Sequence, residues 1–332
     1  MFVDTTLGAA KLQHVPALGR AAEAMGFDAL WSAETQHDPF LPGVLIAEHT
    51  SRLQFGTAIA VGFARSPATM AYTAWDLAQI SNGRFVLGLG TQVKAHIKRR
   101  FGMAWPESPV GKFREQIEAV RAFWHCWQTG GSLDFRGQYY QLTLMTPFFN
   151  PGPIETPDIP IYIAGVNAPM ARLAGDVADG FHVHPFHTPR YLREVLLPAI
   201  EQGANRSGRP RAALAVTAFV ASNEQEAGYA RQQVAFYAST PSYRAVMHLH
   251  GWDAEAERLS ALAAAGRWGE MPGVISDEML GTFAMLGAPA DIPDLLAERY
   301  HGLADRLALY MPFVPGKQDE FWRHLVTRLH AL

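Results

Sequence analysis

The stretch GRFVLGLG, residues 83 to 90, decides how this chain folds. After Arg84 it is an unbroken run of apolar residues and glycines, and a helical segment, KFREQIEAVRAFWHCW (112 to 127), follows it. A strand without polar alternation is covered on both faces, which is the condition of a strand in a parallel sheet. The same strand and helix pair recurs on either side. Upstream lie Phe2 to Thr5 with LQHVPALGRAAEAMG, where Val15, Leu18, Ala22 and Met25 fall at helical spacing and Gly26 ends the helix. FDALWSA (27 to 33) precedes LPGVLIAEHT (41 to 50), and LQFGTAIAV (53 to 61) precedes SPATMAYTAWDLAQIS, with Ser66 and Pro67 as N-cap and first-turn residues. Downstream, IPIYIAG (159 to 165) leads into NAPMARLAGDVA, GFHVHP into PRYLREVLLPAIEQG, AALAVTAFVA (212 to 221) into NEQEAGYARQQVAFYAS, and DRLALYMPF (305 to 313) into QDEFWRHLVTRLHAL. About eight such units without a composition shift predict an α/β fold, a closed (β/α)₈ TIM barrel, over a doubly wound sheet. The chain reads as one domain, 1–332, interrupted at about 91–111, at 130–158 (a hairpin in LDFRGQYYQL and a proline-rich connector) and at 240–290, a partly helical insertion between the seventh and eighth strands.

Hydrophobic residues make up 48% and charged residues 18% of the 332, with a formal net charge of −3. That is the composition of a globular chain with a large core and excludes extended disorder. The basic cluster KAHIKRR (94 to 100) lacks the interleaved aromatics of a nucleic-acid surface, so no nucleic-acid partner is expected. No run of about 18 apolar residues exists to span a membrane, and no basic n-region opens the chain. One cysteine, Cys126, excludes internal disulfides and reads as a small buried residue; a cytoplasmic location is the expectation.

In a barrel the residues that follow each strand share one rim, and active-site groups come from there. Four such segments carry chemistry: SAETQHDPF with Glu34, His37 and Asp38; GLGTQVKAH with Gly90, Thr91, Gln92 and His96; AGVNAPM with Gly165, Val166 and Asn167; and GFHVHPFHTP with His182, His184 and His187. Asn167 can cap a helix whose free N–H groups suit a phosphate. The histidine run reads in three ways: a metal site, a pocket for an anionic or aromatic ligand, or structural residues. A catalytic zinc needs three protein ligands. The fifth and seventh strands end in AGVN and FVAS, which offer no imidazole, carboxylate or lysine, so no metal is expected. Trp31, Phe40, Trp105, Phe186 and Tyr310 supply aromatic surface near the rim, and Trp31, Phe40, Phe186 and His187 are the expected lining of a substrate pocket.

SNGRFVLGLG (81 to 90), with the helix ATMAYTAWDLAQI before it, resembles the fourth-strand signature of the bacterial luciferase-like flavin and deazaflavin oxidoreductases. PIYIAGVNAPMARLAGDVADGF (160 to 181) is similar to that family's fifth and sixth units, and order and spacing agree along almost the whole chain. Within the family the chain looks closest to the branch that uses the deazaflavin coenzyme F420, with FMN as the alternative cofactor. The resemblance implies hydride transfer between C5 of the bound ring and a small organic substrate, or, with FMN, a monooxygenase that consumes oxygen; it also implies a homodimer. It implies a non-prolyl cis peptide, at Ala58 and Ile59, backing the ring. Gly90, Thr91, Gln92 and His96 would contact ring and tail, Gly165, Val166 and Asn167 would cradle phosphate, and His184 would reach substrate or phosphate. Where many members have histidine directly after an acidic residue on the second loop, this chain has Thr35 after Glu34. The proton-handling candidates are therefore His37, Glu34 and His184. Gln92, Val166 and Asn167 replace glycines found in other members.

Overall fold

The computed structural model describes residues 1–332. Eight parallel strands close on themselves: β1 (Phe2–Thr6), β2 (Ala29–Ser32), β3 (Gln54–Thr57), β4 (Phe85–Gly90), β5 (Ile161–Gly165), β6 (Gly180–Val183), β7 (Ala213–Ala221) and β8 (Arg306–Leu309). β1 pairs with both β2 and β8, and β7 pairs with both β6 and β8, so the ring has no open edge. β3 breaks after Thr57 and resumes at Ala60–Val61 against the end of β4. The (β/α)₈ barrel expected from the sequence is the observed fold.

Local chemistry sets the helix boundaries. Ser66 accepts the N–H of Thr69 at 3.2 Å ahead of the helix Pro67–Ser81, and Ser108 accepts that of Gly111 at 3.2 Å ahead of Pro109–Thr129. The sixth helix differs from the sequence expectation of a regular helix. Leu192–Leu196 is a π-turn that runs into Leu197–Ser207. Pro198, which has no N–H to donate, sits at the joint, and widening the turn accommodates it. β8 stops at Leu309, short of the expected Phe313, because Pro312 interrupts the ladder and the N–H of Phe313 turns to Thr5 Oγ1 instead.

The insertions are present, with one difference. The hairpin pairs Phe135–Arg136 with Gln141–Leu142. The segment 240–290 holds helices Arg244–Leu249, Asp253–Ala264 and Asp277–Phe283, but it ends in a strand, Ala284–Leu286, that extends the sheet beside Phe219–Ala221 of β7. Its isolated apolar triplet is too short to read as a strand without its partner. No helix is long and apolar enough to cross a membrane.

Inside the barrel, small residues make room for a few large ones. A Cβ on Gly56 would lie 2.7 Å from the Trp31 ring, and one on Gly180 would lie 2.4 Å from the Tyr162 ring. Trp31, Tyr162 and His182 fill that space, with the rings of Trp31 and His182 at 4.8 Å and of Tyr162 and His182 at 5.2 Å. Below them Arg306 clamps Asp4 through Nε (2.7 Å) and Nη2 (2.8 Å), while Trp31 Nε1 donates to the same carboxylate at 2.9 Å. A buried carboxylate is tolerated there because every lone pair it turns inward meets a donor. Trp31, expected in the lining of a substrate pocket, is 4% exposed and is part of this barrel filling.

Candidate active site

The segments following β2, β3 and β4 lock into one wall at the C-terminal end of the barrel. The peptide bond between Ala58 and Ile59 is cis, as the resemblance led one to expect. The N–H of Ala58 donates to Ser32 O (2.7 Å), and the N–H of Glu34 donates to Ile59 O (3.1 Å). Glu34 Oε2 accepts the N–H of Val61 at 2.7 Å and Arg65 Nη1 at 2.5 Å; Arg65 Nη2 reaches Asp38 at 3.2 Å, and its guanidinium lies over the Phe40 ring at 5.4 Å. Gln116 Nε2 donates to the carbonyls of Gly62 and Arg65, holding this loop from behind. Arg100 Nη2 donates to Thr35 O at 2.8 Å, tying the segment after β4 to the loop after β2.

Gly90 completes the wall by what it lacks. A Cβ there would come within 2.8 Å of Ile59 Cδ1. Gln92 adopts φ 60°, a left-handed conformation that favours glycine, and its Oε1 accepts the N–H of Val93 at 2.9 Å. Thr91 Oγ1 donates to Gln92 O, and His96 is exposed on the short helix Lys94–Arg99. On the neighbouring side Asn167 Oδ1 accepts the N–H of Met170 at 3.2 Å, so the Asn167 side chain itself occupies one of the donors at the helix start. Val166 is buried, and a Cβ on Gly165 would strike Met170 at 2.6 Å, so that glycine serves packing.

The histidine run is distributed over three environments. His182 points into the barrel, where burial, reinforced by Arg306, pushes it down to about 3; its Nε2 is buried without a hydrogen-bond partner. His184 stands at the mouth between the rings of Tyr237 and Tyr243, each at 4.6 Å. Its Nδ1 accepts the N–H of Phe186 at 3.1 Å, which places the neutral ring's proton on Nε2, and burial, aided by His187, pushes it down to about 3. A neutral ring so held offers its Nε2–H as a donor. His187 is 2% exposed, contacting His184 O through Nδ1 and Tyr300 Oη through Nε2, and burial pushes it down to about 4. Phe186 is fully buried and stacks on Phe283 at 4.6 Å. Of these two residues expected in the pocket lining, Phe186 packs the insertion against the barrel and His187 bonds to the helix Ile292–Tyr300. Phe40 is 7% exposed and forms the back of the Arg65 wall. His37, by contrast, is exposed on the loop after β2. Nowhere do three or more His, Cys, Asp or Glu side chains gather as metal ligands would.

The family model for luciferase-like monooxygenases matches residues 2–306. The chain belongs to that family. An uncharacterized protein of Mycobacterium tuberculosis is 46% identical over 304 residues, covering 87% of this chain and 89% of the relative. A 5,10-methylenetetrahydromethanopterin reductase of Methanopyrus kandleri is 27% identical over 325 residues, covering 93% and 90%. Among solved structures, the coenzyme F420 dependent tetrahydromethanopterin reductase from Methanopyrus kandleri superposes with a TM-score of 0.78 at 22% identity, covering 99% of this chain and 98% of that one.

Two residues of this luciferase-like barrel escaped the sequence reading. Arg65 precedes the N-cap Ser66 and looks like a surface charge until the fold brings it onto Glu34, 31 positions earlier. Tyr237 shares a helix face with Gln233, four residues before it, and that spacing was the available signal. In the structure Tyr237 Oη and Tyr310 Oη lie 2.7 Å apart, with Tyr310 donating to Gln233 Oε1 at 3.4 Å. Burial and the Tyr310 bond push the Tyr237 hydroxyl well above the usual phenol range, so it stays protonated.

Proposed function

We propose that the chain is an F420-dependent oxidoreductase of the luciferase-like family, acting on a small organic substrate. The observation that carries this reading is the end-to-end match to methanopterin reductases, joined to the continuous wall that Glu34, Ile59 and Gly90 build at the barrel mouth. The residues present fit a flat deazaflavin ring. Gly90 leaves room for the Ile59 side chain to close the wall, and the carboxylate of Glu34 is already taken up by Arg65 and Val61. When bound, F420 supplies a two-electron hydride donor or acceptor at C5.

The protein's part is orientation, exclusion of water and one proton. Ala58 and Ile59 would back the ring, Gly90, Thr91, Gln92 and His96 would contact ring and tail, and Gly165, Val166 and Asn167 would hold the phosphate. Glu34 serves as an anchor, because its carboxylate is committed to two donors. His37 is the group free to take or give the substrate's proton at an imidazole nitrogen, and His184 offers a fixed Nε2–H donor at the far wall. FMN with a monooxygenase outcome is the second reading. It stays open because Gln92, Val166 and Asn167 stand where other members carry glycine.

The test is the F420 absorbance change with a panel of small alcohols and carbonyl compounds, with oxygen uptake followed in parallel. His37→Ala should lower the rate about 100-fold, and His184→Gln should leave it within about threefold. Oxygen uptake in step with substrate loss would overturn the assignment.

A further inference from the structure

Tyr237 lies on the helix Glu224–Ala238, which follows β7, and Tyr310 directly follows β8. Both are partly exposed, and the Tyr310 ring packs on Phe219 of β7 at 4.5 Å, so their hydroxyls meet at the barrel mouth, 2.7 Å apart. A phenol has one proton to give and lone pairs with which to accept. Tyr310 gives its proton to Gln233 Oε1 at 3.4 Å, so the proton in the Tyr237–Tyr310 bond is the one that Tyr237 supplies. Both protons are then spent inside the protein. Burial and the Tyr310 bond keep Tyr237 protonated, so its Oη is left as a neutral acceptor. The ring of His184 stands perpendicular to that of Tyr237 at 4.6 Å and has the opposite character. Its Nδ1 is taken by the N–H of Phe186, which leaves Nε2–H as a donor. The wall formed at the ends of β6, β7 and β8 thus sets a fixed acceptor beside a fixed donor, with neither group charged.

We infer that Tyr237 Oη selects the substrate by accepting a proton from a hydroxyl group on it, and that the substrate class is a neutral, hydroxyl-bearing organic compound. Tyr310 and Gln233 are the positioning residues, because they fix which way the hydrogen bonds run. A hydroxyl suits the wall because it donates to Tyr237 while its oxygen accepts from His184; a carbonyl or ether can satisfy only His184. An acceptor facing Tyr237 is left against a lone pair, and binding loses the value of that bond. His37 stands after β2, three strands around the ring from β7, so the hydroxyl that Tyr237 reads is not the group whose proton His37 handles. The inference rests on the reading of the barrel mouth as the substrate site, and it holds for either cofactor.

The experiment titrates the full chain, isotope-labelled at tyrosine Cζ, with cyclohexanol and with cyclohexanone, which match in size and differ in the proton. The NMR signal followed is that of Tyr237, identified by its absence from Tyr237→Phe. Wild type should bind the alcohol about fivefold more tightly than the ketone, the value of one net hydrogen bond. Gln233→Leu frees the Tyr310 proton for Tyr237 and turns the Tyr237 proton outward, so the preference should vanish, since alcohol and ketone both accept. Gln233→Glu keeps an acceptor for Tyr310 and should keep the preference. A Gln233 that served packing alone would weaken both ligands alike. No shift of Tyr237 with either compound, equal affinities in wild type, or a preference for the alcohol that survives in Gln233→Leu would overturn the inference. Neither the probes nor the signal involve F420, so each of these results leaves the F420 reading to its own titration.

Discussion

Arg65 Nη1 donates to Glu34 Oε2 at 2.5 Å, and the N–H of Val61 donates to the same oxygen at 2.7 Å. One carboxylate thus joins the loop after β2 to the strand break after β3. Glu34→Ala leaves the N–H of Val61 without its acceptor and Arg65 with only Val61 O and Asp38, in a site where the Glu34 side chain is 8% exposed, and should cost about 1 to 3 kcal/mol of stability. Thermal and denaturant unfolding would measure it. Unchanged stability with abolished turnover would mean that Glu34 acts on substrate and is not an anchor.

His182, His184 and His187 make stability fall on mild acidification. Burial holds the first two at about 3 and the third at about 4, below the ordinary 6.5, so the unfolded chain takes up protons first. Their contribution is complete above pH 6.5 and is lost as pH falls below it, by on the order of 1 to 2 kcal/mol per histidine at pH 5. Denaturant unfolding at pH 6.5 and 5.5, a range in which ordinary carboxylates change little, should show the decline, and His184→Gln should reduce its slope. An unchanged slope would mean that His184 is solvated.

The Asp4 and Arg306 pair, 302 positions apart, ties the first strand to the last inside the barrel. Arg306→Met should destabilise by about 3 to 5 kcal/mol, because it strands a buried carboxylate. Adding Asp4→Leu should recover part of that loss. Additive losses in the double variant would show that the carboxylate does not depend on Arg306.

Gly90→Ala tests the wall. Its Cβ would lie 2.8 Å from Ile59 Cδ1 and 2.9 Å from Cγ1, so Ile59 must shift. We expect an overpacking cost of about 1 to 3 kcal/mol in unfolding experiments, together with weaker cofactor binding. Binding unchanged despite the lost stability would place the cofactor away from Ile59.

The eight strands were legible because each is an apolar run between helical periods, and Ser66 marked a helix start before any contact was known. The inside of the barrel was not. In a parallel barrel both faces of a strand are apolar, so Trp31 carries no sign that it turns inward to Asp4. His184 was placed at the mouth by counting along its strand. Its loss of basicity comes from burial, to which the rings of Tyr237 and Tyr243, more than 50 residues away, contribute, and then from His187. Burial of His187 likewise depends on Tyr300, a residue separated from it by 113 positions.

Equilibrium titration of the purified protein with F420 and with FMN, under identical conditions, tests the central claim most directly. The account predicts F420 binding at least about tenfold tighter than FMN, a difference of about 1.4 kcal/mol. Tighter binding of FMN, with oxygen consumed when the reduced flavin is supplied, would contradict it.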